Sequence, residues 1–303
     1  IGIAEKREGA LSAATAYSAG DAVGSAVLLS DDGWAVTSSG VFAPKKTYVA
    51  ITADHAVVAI DTKVDDPSMD VTYIHLADAA NLSVATLGSA ETSAGGAYTV
   101  LAPSDQPGQI RSLPVVAQGV LSMKGLLLFS DERSRVAVLA QTLPAAYAGG
   151  PLVSADGAVL GIVRSDGWQN GSTVWPIADI STILPGLLKD GQIVRPAFGV
   201  HYVNLALAAG IPTAEVQGKK NGTLITGTND APAIAKKSAA EKAGIRSGDI
   251  ITAVGSQSIS GSLDLADIIA GYTAGQTVDM TVVRKKAETK LKVTLGSTSA
   301  TAP

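Results

Sequence analysis

Short apolar runs separated by turn-forming residues recur along the first two thirds of the chain. Gly24 to Leu29 and Gly33 to Thr37 flank Ser30-Asp31-Asp32, and apolar runs joined through an Asp-Gly step predict a hairpin. Further strands are predicted at Tyr48–Ile51, Ala56–Asp61, Val71–Leu76, Tyr98–Ala102, Val115–Leu121, Val136–Thr142, Pro151–Val153 and Val159–Val163, with Gly, Pro, Asp and Ser between them. This regular spacing predicts a sandwich or a barrel. From Ile177 to Lys189 the period changes: Ile180, Ile183, Leu184, Leu187 and Leu188 mark one face of a helix that stops at Gly191. That helix is expected to close a first domain at residues 1–190. Beyond it, strands are predicted at Gln192–Val203, Thr223–Thr228 and Ile250–Val254. Short helices are predicted at Ala239–Ala243 and Leu263–Ala270, and a closing hairpin at Val278–Val283 and Thr289–Leu295. These form a second, β-rich module of about 100 residues at 191–296. The small polar tail Ser297–Pro303 is expected to fray.

Composition agrees with two folded, mainly β domains. The chain has 303 residues, 46% of them hydrophobic and only 4% aromatic, so its cores must rest on Val, Ile, Leu, Ala and Gly. A net charge of -4 with scattered Lys and Arg leaves no basic stripe for a nucleic acid, which excludes DNA and RNA as partners. There are no cysteines and three dispersed histidines, so neither a thiolate site nor zinc-type spacing exists; no metal and no cofactor is expected. The first residue is Ile1, and no apolar run reaches the roughly 18 residues that span a bilayer.

Candidate chemistry centres on Ala145-Ala-Tyr-Ala-Gly-Gly-Pro-Leu-Val153. This stretch resembles the nucleophile loop of trypsin-like serine proteases, G-N-S-G-G-P-L-V, with Ala148 at the serine. An alanine methyl has no lone pair with which to attack a carbonyl. Other motifs resemble the HtrA (Deg) family in the same order along the chain. They are Gly24-Ser-Ala-Val-Leu-Leu-Ser-Asp-Asp-Gly-Trp-Ala-Val-Thr37, Asp66-Pro-Ser-Met-Asp-Val71, Gly149 to Ile162, and Ala239-Ala-Glu-Lys-Ala-Gly-Ile-Arg-Ser-Gly-Asp-Ile-Ile251. The resemblance implies a chymotrypsin/trypsin-like double β-barrel followed by a PDZ domain with two short helices. It places the triad on Gly40, Asp70 and Ala148, so that of base, carboxylate and nucleophile only the carboxylate remains. The oxyanion loop falls on Ala146, Tyr147 and Ala148, where the family has Gly-Asn-Ser and about three more residues upstream. Losing serine or histidine alone typically removes on the order of a million-fold of rate.

The other histidines are not the favoured replacement base, though a displaced His55 stays open as an alternative. His55 is predicted in a loop and His75 on a strand, both as solvated imidazoles; His201 is predicted in the opening strand of the second domain, with a role at the groove edge as the lesser alternative. Asp70 at the start of a strand can equally serve as a turn cap. PDZ domains add an extended peptide to a sheet edge and hold its terminal carboxylate on backbone amides. By resemblance the carboxylate loop maps to Ala197, Phe198, Gly199 and Val200, and the side-chain pocket to Leu265, Ile268 and Ile269.

The expectation is therefore an inactive HtrA-like pseudoprotease that holds peptides, protein C-termini or unfolded segments. One alternative is an active endopeptidase in which Ala148 replaces an original serine or a base such as His55 is displaced. Another is a purely structural assembly subunit. The resemblance also implies a homo-trimer and placement outside the cytoplasm, or at its membrane through a preceding segment.

Overall fold

Buried positions alternate with more exposed ones along 110–120, Gln192–Ala197, His201–Asn204 and Thr277–Arg284, whereas Trp34–Ser38, Val71–Leu76 and Gly171–Pro176 are buried almost throughout, and together they enclose a few apolar cores. The computed structural model describes residues 1–8, 16–77, 79, 82–89, 92–104, 106, 109–122, 125–168 and 171–301.

Strands β1 (Gly2–Glu5), β2 (Ala22–Ser25), β3 (Val27–Leu28), β4 (Trp34–Ser38), β5 (Tyr48–Ile51), β6 (Val57–Asp65) and β7 (Val71–Leu76) form one sheet in the order β2-β1-β5-β6-β7-β4-β3. Only Ala26 separates the two end strands in sequence, so the sheet curls back on itself. A closed barrel follows, built from β8 (Ala97–Pro103), β9 (Ile110–Ser122), β11 (Arg135–Leu139), β12 (Pro151–Val153), β13 (Val159–Trp168) and β14 (Gly171–Pro176). Between β9 and β11 lies β10, the two-residue strand Leu128–Phe129, which leaves the barrel and pairs elsewhere. Val36, Tyr73, Val136, Ile162 and Trp175 join the two barrels in one buried cluster. The expected double barrel is thus present.

The helix predicted over Ile177–Lys189 is two helices, α1 (Ile177–Ser181) and α2 (Leu184–Asp190). Pro185 supplies no N–H, so it is tolerated in a first turn and not inside a continuous helix. α2 ends as predicted at Gly191, whose φ of 62° lies in the left-handed region that glycine enters without strain.

The second domain contains β15 (Gln192–Ala197), β16 (His201–Asn204), β17 (Thr223–Ile225), α3 (Ala239–Lys242), β18 (Ile250–Val254), β19 (Gln257–Ser258), α4 (Leu265–Ala270), β20 (Thr277–Arg284), β21 (Ala287–Thr294) and β22 (Gly296–Thr301). Its main sheet runs β10-β16-β17-β18-β20-β21. Its core gathers Phe198, Val200, Tyr202, Ile251, Leu265, Ile268 and Met280. The single strand expected over Gln192–Val203 is interrupted at Phe198–Val200, where Gly199 has a φ of 85°. The tail also departs from expectation. Up to Thr301 it forms β22, pairing the whole of β15 from Gln192↔Thr301 to Ala197↔Gly296. An open strand edge attracts a partner of small, Thr-rich side chains, and Ala300 packs against the buried cluster between the barrels. Residues 302 and 303 lie outside the described residues.

The connections at residues 204–221 and 229–238 lie on sides of the second domain other than the β10 edge of β16. Leu205, Ile211 and Val216 pack with Leu224, Ile250 and Val283 on a separate small core. Ala233 accepts from the His201 amide at 2.9 Å, on the edge of β16 that also faces β17.

Candidate functional site

Strand β4 delivers the chain into a short turn, Ser39–Val41, which carries the position expected for the base. Gly40 is exposed there, but the space a side chain would enter is taken. A Cβ at Gly40 would lie 2.1 Å from Ser165 Oγ and 3.0 Å from Ser165 Cβ. Ser165 is held by Ser38: its amide donates to Ser38 Oγ at 3.0 Å, and the two hydroxyls are 3.2 Å apart.

Asp70 immediately precedes β7 beside this turn, and the Ser39 amide donates to its carbonyl at 3.3 Å. In place of an imidazole, its carboxylate faces a guanidinium: Arg164 Nη2 lies 3.5 Å from Oδ2. Arg164 is itself fixed by two 2.6 Å hydrogen bonds to Asp166 and by stacking over Trp175 at 4.7 Å. Burial raises the Asp70 carboxyl above its ordinary value, against Arg164 and Ser39, which favour the ion, while Asp166 and Asp65 add to the rise. A raised folded-state value means that the folded chain binds the proton more tightly than the unfolded chain. The resulting stability is complete in acid and is lost as pH rises from roughly 4 through the raised value. Asp70→Asn is therefore expected to gain stability relative to the parent as pH rises through that interval. Urea midpoints across the acid range check this; a gap that shrinks with pH overturns it.

The nucleophile position ends a single turn of 3-10 helix, Ala145–Tyr147. Ala148 is 6% exposed and packs with Ala26 and Val41. Gly24 is pressed between the two loops, since a Cβ there would meet Val41 Cγ2 at 2.6 Å and the Ala148 carbonyl at 2.9 Å. The three degenerate positions thus surround one junction between the barrels. At two of the three expected oxyanion positions, Tyr147 and Ala148, the amide is already bonded, as are those of the two glycines that follow. Tyr147 donates to Pro144 at 3.0 Å, Ala148 to Ala145 at 2.9 Å, Gly149 to Val163 at 2.7 Å and Gly150 to Tyr147 at 2.9 Å. An oxyanion hole works because its donors point at the developing charge with no internal partner. Here the loop from 147 to 150 has turned its donors inward. Tyr147 is buried in the core of the second barrel with Leu139, Leu152, Val163 and Val174.

Among the described residues no hydrogen bond or ion pair joins a histidine to Gly40, Asp70 or Ala148. His55 is exposed in the turn after β5, with a φ of 65°. His75 is five residues along β7 from Asp70, roughly 17 Å of extended strand. It is not simply solvated as expected: Nδ1 lies 2.9 Å from Asp61 and the ring packs edge-on to Trp34 at 5.3 Å. Among the described residues no cluster of three or more His, Asp or Glu could hold a metal.

The peptide-groove positions do come together. Leu265, Ile268 and Ile269 are buried on one face of α4, which Asp264 and Asp267 begin with reciprocal side-chain caps. Tyr202 donates to Asp264 at 2.6 Å beneath them, and Asn204 donates to the same carboxylate at 2.9 Å. Phe198, Gly199 and Val200 turn their amides towards one point, as Gly199 allows. That point is occupied by the segment Leu128–Asp131, which sequence reasoning missed. β10 pairs antiparallel with β16, Leu128 opposite Tyr202 and Phe129 opposite His201. The Phe129 and His201 rings lie 4.6 Å apart, so His201 does line the groove edge. The only local signal was the apolar run 126–129 followed by Ser130-Asp131.

Residues 24–162 match the trypsin-like peptidase domain family, and residues 213–295 match the PDZ domain family. A probable periplasmic serine endoprotease, DegP-like, from Pseudomonas putida is 28% identical over 282 residues, which is 91% of this chain and 56% of the relative. The corresponding protein of a Marinomonas species is 29% identical over 280 residues, 90% of this chain and 56% of the relative. The chain thus spans about half the length of the curated relatives it matches. Among solved structures, the HtrA-type protease AlgW with decapeptide superposes with a TM-score of 0.70 at 21% identity, covering 92% of this chain and 83% of that one.

Proposed function

We propose that this chain, in which a trypsin-like peptidase domain precedes a PDZ domain, is an HtrA-type protein that has lost peptide-bond hydrolysis and works by holding peptides. The observation that carries the proposal is the junction between the barrels. Its nucleophile position is a methyl group, its base position is a glycine whose side-chain space Ser165 fills, and its Tyr147 and Ala148 amides are bonded within the loop. Asp70 faces Arg164 in place of an imidazole. Acyl transfer needs a nucleophile, a base to deprotonate it and free donors for the oxyanion.

The second domain keeps what peptide capture requires: a strand edge at β16, converging amides at Phe198–Val200 and an apolar helix face at Leu265, Ile268 and Ile269. The AlgW structures carry a decapeptide or a tripeptide, and by that likeness the proposed ligands here are protein C-termini and unfolded segments. The curated relatives are named periplasmic, and we place this chain outside the cytoplasm on the same ground. No helix among the described residues is long and apolar enough to cross a membrane. A homo-trimer belongs to the same reading, and light scattering tests it.

Activity is tested with a fluorophosphonate probe on the full chain. The expected result is background labelling both for the chain as it stands and for Ala148→Ser, since the restored hydroxyl still lacks a base at Gly40. Labelling of Ala148→Ser at position 148, accompanied by cleavage of an unfolded protein, overturns the proposal.

A further inference from the structure

Leu128–Asp131 meets the requirements of a PDZ ligand one by one, although it belongs to the peptidase domain. It is extended and adds antiparallel to the free edge of β16. Its direction brings its C-terminal end to the carboxylate loop, where the Ser130 amide donates to the Val200 carbonyl at 2.9 Å. Leu128 is 4% exposed and shares the apolar cluster of Leu265, Ile268 and Ile269. Ser130 Oγ accepts from the Gly199 and Val200 amides, both at 3.0 Å. Asp131 Oδ1 accepts from Phe198 at 2.7 Å and from Gly199 at 2.9 Å. A carboxylate therefore lies on the converging amides, supplied by a side chain because the backbone continues. Two arginines just downstream fasten the segment to the groove's far wall. Arg133 donates to the Ala266 carbonyl at 2.9 Å and pairs with Asp267 and Asp179, while Arg135 pairs with Asp267 at 3.1 Å.

We infer that Leu128–Asp131 is an internal ligand that keeps the PDZ groove filled, and that an outside C-terminus binds only when this segment leaves. The inference rests on the reading above that the groove takes peptides. A tethered ligand competes at an effective concentration in the millimolar range, so apparent affinity for an outside peptide is reduced by the fraction of grooves that are open. The segment also links β9 to β11, and its departure would free that connection of the second barrel from α4.

The test uses the full chain and a fluorescent peptide copying Gly125–Ser130 with a free C-terminal carboxylate, beside the same peptide as its amide. Removing the Asp131 carboxylate removes two charge-assisted hydrogen bonds of the resident segment. Asp131→Ala is expected to bind the acid peptide about ten- to a hundredfold more tightly than the parent, with the amide weak for both. Arg133→Gln, which loosens the segment without touching the carboxylate loop, is expected to shift affinity in the same direction. It also serves as the test if Asp131→Ala does not fold. Tight binding by the parent with no gain in either variant overturns the internal ligand and leaves the peptide-binding reading standing. Failure of parent and both variants to bind the acid peptide overturns that reading and the inference with it.

Discussion

Replacing Asp66 by alanine is expected to cost about 3–5 kcal/mol, because it leaves a buried guanidinium without its counter-ion. The Asp66 side chain is fully buried and that of Arg195 is 4% exposed, with Nη2 and Oδ2 at 2.6 Å. Arg195 also donates to Thr182 Oγ1 at 2.8 Å and to the Asp179 carbonyl at 2.9 Å. It thereby ties the first strand of the PDZ domain to the helical connection and to the loop before β7. Ser68 adds two 2.9 Å hydrogen bonds to Asp66 Oδ1. The partner experiment is Asp66→Ala with Arg195→Met, which removes both charges and is expected to recover most of the loss. Urea denaturation of the single and double variants checks both. A single-variant loss under about 1 kcal/mol would mean that water reaches Arg195 and solvates it. The Asp-Pro-x-x-Asp motif thus begins with a structural carboxylate, whatever its second aspartate does.

Gly149→Ala is expected to be comparably severe. Gly149 has a φ of 78°, and a Cβ there would stand 2.0 Å from the Ser25 carbonyl oxygen and 2.0 Å from Thr37 Oγ1. Those two atoms are themselves joined, Thr37 Oγ1 donating to Ser25 at 2.6 Å, so neither can retreat without breaking a buried hydrogen bond. Left-handed strain and overpacking together come to on the order of 4 kcal/mol. The thermal midpoint of the peptidase domain should fall by roughly 10 °C. A fall of less than about 3 °C would mean that the loop moves aside easily. The glycine pair after Ala148 therefore has a geometric reason to be there that needs no catalysis.

The elements that were legible in the sequence are those whose pairing pattern is local. Tyr48–Ile51, Val71–Leu76, Pro151–Val153 and Ile250–Val254 occur with the predicted bounds, each an apolar run between turn residues. The double barrel and the PDZ followed from motif order, and the position of Ala148 in its turn followed from the glycines after it. What was not legible depends on distant partners. Gln192–Val203 reads as one strand, but the amides of Phe198–Val200 turn away to meet Ser130 and Asp131, some 70 positions earlier. The tail reads as polar filler, but an unpaired edge of β15 orders it. Ser165, on a strand that continues to Trp168 beyond its predicted end, carries no signal that it would occupy the place of a histidine side chain. Leu128–Asp131 has too few residues to show any period, and its chemistry emerges only once β16 lies beside it.

Leu128–Asp131 is part of the chain whose groove it fills, so the ratio of plug to groove is fixed at one however much protein is present. Dilution cannot empty such a groove and overexpression cannot fill it further. Only a better terminus, or a pull on the connection between β9 and β11, changes its state, which makes occupancy a measure of the surroundings and not of abundance.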